Sequence, residues 1–94
     1  MSDVGRDDFG PPVSVVGVRV LSRYVVELDF DDGTTRVIDL EPSLWGEMFE
    51  PVLTDYSFFT QVRCDPDSGA IVWPNGADLS PRTLYIESKP RVPA

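Results

Sequence analysis

Arg23-Tyr24-Val25-Val26-Glu27-Leu28-Asp29-Phe30, then Asp31-Asp32-Gly33, then Thr34-Thr35-Arg36-Val37-Ile38-Asp39-Leu40 is the stretch that decides the fold. In its first part the even positions are Tyr24, Val26, Leu28 and Phe30, and the odd ones Arg23, Val25, Glu27 and Asp29. A period of two is that of a half-buried strand. Residues opposite each other in an antiparallel pair point to the same face, so parity selects the register. A two-residue Asp32-Gly33 loop would set Val26 against Asp39 and Tyr24 against Glu41. A three-residue loop, Asp31-Asp32-Gly33, sets Val26 against Ile38 and Tyr24 against Leu40, and keeps the apolar face continuous. It also suits a type I turn closed by a glycine in the left-handed region.

Upstream, Val13–Val20 places Val16, Val18 and Val20 on one face, with Gly17 marking a bulge. The same parity test selects Leu21-Ser22-Arg23 as the first turn, with Val20 opposite Tyr24 and Val18 opposite Val26. The expectation is a three-stranded antiparallel meander over 13–40, even-numbered residues inward and Glu27, Asp29 and Asp39 outward. Downstream the grammar changes. Pro42 to Gly46 reads as one helical turn, and Glu50-Pro51 as a break. Thr54 or Asp55 caps a short helix to about Gln61, with Leu53, Tyr56, Phe59 and Val62 along its buried side. Val62–Asp65 and Ala70–Trp73 flank Pro66-Asp67-Ser68-Gly69 as a second short hairpin. Ser80-Pro81 opens a last helix. Sheet with segregated short helices is an α+β layout. Residues 1–12 read as a flexible N-terminal tail, 13–87 as a single domain and 88–94 as a flexible C-terminal tail.

The chain has 94 residues, 16 acidic and 8 basic side chains, no histidine and one cysteine. A net charge of −8 argues against sequence-independent nucleic-acid binding and against an anionic membrane surface. Without histidine there is no Ser-His-Asp or Cys-His pair, and a zinc site lacks its usual ligands. Neither a cofactor nor a metal is expected. Cys64 has no partner for an intramolecular disulfide, so a reducing compartment fits, and its apolar flanks suit a buried structural thiol. No signal peptide and no long apolar run is present, which places the chain in the cytoplasm.

Four sets of residues carry candidate chemistry. The acids from Glu27 to Glu41, with Asp31 and Asp32 at the turn, form either a solvated hairpin face or a negative patch for a basic partner; a Ca²⁺ or Mg²⁺ site is the weaker alternative, because no EF-hand spacing exists. Asp65 and Asp78 flank apolar segments, as an acid–base carboxylate would, but turn bonding explains them more simply. Trp73, Asn75 and Asp78, in Trp73-Pro74-Asn75-Gly76-Ala77-Asp78, form a ligand pocket or a rigid corner, and the residue types favour the corner. Trp45, Met48 and Phe49 are expected to bury at least two of their number; an exposed set would mark a protein–protein surface.

Phe30-Asp31-Asp32-Gly33-Thr34, Arg36, Asp39-Leu40, Phe58-Phe59, and Ile71-Val72-Trp73-Pro74-Asn75-Gly76-Ala77-Asp78-Leu79 through Leu84-Tyr85 resemble the small bacterial domains of unknown function called DUF2442. The resemblance spans about residues 13–86. It implies an α+β domain and brings no catalytic residues to carry over. Members stand beside short proteins in what look like toxin–antitoxin pairs, which implies an acidic, antitoxin-like partner of a short toxin. The functional expectation is therefore a non-enzymatic interaction module that binds a basic protein or its own copy. The alternative is a small-molecule-binding or catalytic domain centred on the Trp73–Asp78 turn.

Overall fold

The computed structural model describes residues 13–90. Residues 1–12 and 91–94, which include most of the two expected tails, lie outside the described residues. Three antiparallel strands, β1 (Val15–Ser22), β2 (Val25–Phe30) and β3 (Thr35–Asp39), form the meander. Two 3-10 turns follow, Glu41–Ser43 and Glu47–Phe49, then the short helices α1 (Glu50–Thr54) and α2 (Tyr56–Phe59). A second sheet is built from β4 (Arg63–Cys64), β5 (Ile71–Val72) and β6 (Asp78–Leu79), in that order. Helix α3 (Pro81–Glu87) leads to β7 (Lys89–Pro90), which adds to the free side of β3. The architecture is α+β, as the sequence indicates. The folded part runs past the expected boundary at 87, because Ser88 is buried and Lys89 pairs with Val37.

The β2–β3 register is the one parity selects, with Val26 opposite Ile38. Phe30 N–H donates to the Thr34 carbonyl at 2.9 Å, and Gly33 takes a φ of 90°, which a side chain would oppose. The β1–β2 register departs from expectation. Val20 faces Val26 and Val18 faces Leu28, a shift of two residues that preserves parity. The chain turns through Arg23–Tyr24, with Tyr24 at φ 68° in the left-handed region. Tyr24 is thereby freed from β2, and its hydroxyl donates to the Leu53 carbonyl at 2.5 Å while its ring meets Phe59 edge-on. The expected inward Val16 is also overturned: it is 62% exposed and Val15 is buried instead. The bulge between Val15 and Gly17 switches the faces upstream of it.

The inward face of the meander supplies Val26, Leu28, Phe30, Ile38 and Leu40 to one core. Val52, Phe59, Ile71, Trp73 and Leu84 complete it from the helices and the second sheet. Pro51 does not break the chain. It sits in the first turn of α1, where a missing N–H leaves no bond unmade. Asp55 caps α2 by accepting from Phe58 N–H, and Ser80 caps α3 by accepting from Thr83 N–H, as their positions predict. Tyr56, the first residue of α2, is exposed rather than buried. The two sheets meet where Val15 N–H donates to the Gly69 carbonyl at 2.8 Å. A Cβ at Gly69 would fall on the Ser14 side chain, so only glycine permits this approach.

Candidate functional site

The outward carboxylates of the meander do not stand free in water. Arg19 binds Asp29 through two parallel hydrogen bonds of 2.9 Å and Glu27 through one of 2.7 Å. Arg19 and the Thr35 hydroxyl hold the Asp29 carboxyl below the usual carboxylate range. Asp31 accepts from Ser14 N–H, and Asp32 accepts from the hydroxyl and N–H of Thr34 and from the Tyr85 hydroxyl. These bonds, those of Thr34 first, lower the Asp32 pKa. Arg36 lies 3.9 Å over the Tyr85 ring, so this hairpin tip is clasped to α3. Its Nε is buried without a hydrogen-bond partner, and the ring face supplies the compensating attraction.

Asp65 holds a turn. It accepts from Asp67 N–H at 3.0 Å and from the Ser68 hydroxyl at 3.1 Å, and its pKa is lowered, opposite to what a general acid needs. Asp78 is exposed on the short strand β6. Burial pushes the Cys64 thiol up, which favours the inert protonated form. Among the described residues no three His, Cys, Asp or Glu side chains converge to hold a metal ion, and no helix is long and apolar enough to cross a membrane.

Trp73 is 1% exposed. Its indole N–H donates to the Phe59 carbonyl at 3.1 Å, and its ring stacks on Phe59 and meets Phe49 edge-on. Asn75 forms the tight turn after it: its carbonyl oxygen accepts from Ala77 N–H, and its amide donates to the Met48 carbonyl at 2.9 Å. The sequence assigns the turn's backbone bonding to Asp78; the structure gives it to Asn75. The Trp73–Ala77 turn is thus a buttress under the segment that carries Met48 and Phe49.

That segment forms a ridge. Leu44 is buried and anchors it, and Gly46 adopts φ 96° and ψ 164°, a conformation essentially confined to glycine. Between them Trp45 is left 77% exposed, and Met48 is 49% exposed. Only Phe49 of the three is half-buried, so the expectation that at least two would enter the core is overturned. A core already filled by Trp73, Phe59 and Phe49's own ring leaves no place for Trp45. Beside the ridge runs an apolar groove of about 630 Å³, lined by Pro42, Trp45, Met48, Phe49, Leu79 and Thr83, with Glu47 and Glu87 at its margins. A second hollow of about 500 Å³ shares Pro42, Ser43 and Glu87 with it and is lined further by Val37, Asp39 and Lys89. The first of the two is the Trp45 trough.

The structure therefore joins Trp45, Phe49, Trp73 and Asn75 into a single assembly, while Asp31 and Asp32 line neither hollow. Leu79 and α3's Thr83 and Glu87 are contributors that sequence reasoning did not assign to a site. Met48 belongs to the Trp45, Met48 and Phe49 set that the sequence singles out. A family model described as a protein of unknown function, DUF2442, matches residues 15–90. No curated protein and no solved structure matches the chain.

Proposed function

The chain belongs to the DUF2442 family, and for this member we propose a non-enzymatic protein-interaction module whose docking surface is the Trp45 trough. The observation that carries the reading is an exposed tryptophan held out by a glycine-only backbone geometry beside an apolar groove. A large aromatic left in water loses the favourable free energy of burial, which a partner's surface restores. The carboxylates of the hairpin tip are engaged within the fold, so the surface of this reading lies on the ridge rather than at Asp31 and Asp32. An acidic cytoplasmic partner of a basic toxin, acting as an antitoxin does, is the specific form that the family resemblance and the charge of −8 support. The Trp73–Asp78 turn supports ligand binding less well, because Trp73 is enclosed and its N–H already donates.

Affinity purification from native-host extract tests the proposal, with wild-type and Trp45→Ala baits compared at equal loading. A protein retained by the wild type and lost from the variant is expected. Identical recoveries from two equally folded baits would refute it.

A further inference from the structure

Resting on the docking-surface reading, we propose that the trough receives a cationic amphipathic helix of a partner protein. The helix sets apolar side chains against Trp45, Met48 and Leu79 and its lysines or arginines against Glu47 and Glu87.

Three observations select this occupant. The groove is lined mainly by apolar side chains, and Glu47 of the second 3-10 turn and Glu87 of α3 line it from two different elements. A ligand that buries apolar groups between two carboxylates must carry cations beside its apolar stripe. The walls also exclude addition of a strand. β3 is paired by β2 on one side and by β7 at Arg36 and Val37 on the other, and β6 is two residues long, so among the described residues no strand bordering the trough offers a long free edge. One wall is instead a helix face, with Thr83 and Glu87 four residues apart. Ile86, 58% exposed, is a further exposed apolar side chain on α3. A second copy of this chain fits poorly. A two-fold contact through the trough would gather Glu47 and Glu87 of both copies around one axis, on two molecules each carrying −8.

The test uses the full chain and labelled synthetic helices read by fluorescence anisotropy. One peptide has a leucine stripe and a lysine face, the second replaces lysine by glutamate, and the third scrambles the leucine–lysine order. Saturable binding of the first alone is expected. Its affinity should fall about tenfold with Trp45→Ala and similarly with the Glu47→Gln, Glu87→Gln double variant. It should fall again as salt rises from about 0.1 to about 1 M, which shortens the screening length from about 10 to about 3 Å. Equal binding of the scrambled peptide, or indifference to Trp45→Ala, would reduce the effect to bulk charge and overturn the proposal. Binding of the glutamate peptide, or of no peptide while the bait experiment still yields a Trp45-dependent protein, would overturn the occupant and leave the docking reading standing. A concentration-dependent dimer abolished by Trp45→Ala would replace the helix with a second copy. Failure of both experiments would remove the docking surface itself.

Discussion

Tyr24 adopts a left-handed backbone without being glycine, at a cost of about 1 kcal/mol or more. Three contacts hold it there: its carbonyl accepts from Leu40 N–H at 2.6 Å, its ring meets Phe59 at 5.7 Å, and its hydroxyl reaches Leu53. The hydroxyl bond ties the meander to α1. Tyr24→Phe removes that bond alone and should lower stability by about 1 kcal/mol, read from the urea midpoint; an unchanged midpoint would show the bond contributes nothing. The two tryptophans make a sharper contrast. Trp73 is enclosed in the core, so Trp73→Ala should cost about 3–5 kcal/mol. Trp45→Ala should shift stability by no more than about 0.5 kcal/mol, since its ring is largely in water. Thermal melts of the two variants check both. A large loss from Trp45→Ala would mean the residue is structural and would weaken its reading as a docking group.

At the scale of elements, carboxylates hold the turns and ladders together, and this sets the acid response. Asp29 bonded to Arg19, Asp32 to Thr34 and Asp65 to the Asp67 N–H all have native pKa values below the ordinary carboxylate value. Their stabilisation is complete above the unfolded value of about 3.9 and is lost as pH falls through the lower native ones. The urea midpoint should therefore hold down to about pH 5 and fall progressively below it, and Asp29→Asn should flatten that fall. A variant whose acid sensitivity matches the wild type would contradict the assignment. The same elements show what was legible. Gly33 announced its turn because a glycine after two aspartates is what a left-handed closing residue requires. Nothing local announced the first turn, where a tyrosine does the same job for contacts that lie in α1 and α2. Gly17 announced the bulge, but not that Val15 would replace Val16 inside. The caps at Asp55 and Ser80 were legible because they are local. The Lys89–Pro90 strand and the Asn75–Met48 bond were not, since each joins segments far apart in the chain.

For the molecule as a whole, the sheet, the short helices and the second sheet share one core, and Trp45 is excluded from it. Composition could not reveal this, because whether a tryptophan enters the core depends on which aromatic already fills it. Here Trp73 and Phe59 stack inside, Phe49 covers Trp73, and Trp45 stays out. The docking account then requires the two indoles to respond differently to a partner. ¹⁵N-labelled protein in native-host extract, observed at its two indole N–H signals and compared with buffer, measures this directly. The account predicts that the Trp45 signal shifts or broadens while the Trp73 signal keeps its position. An unmoved Trp45 signal, with changes confined to the amides around Asp31 and Asp32, would contradict it.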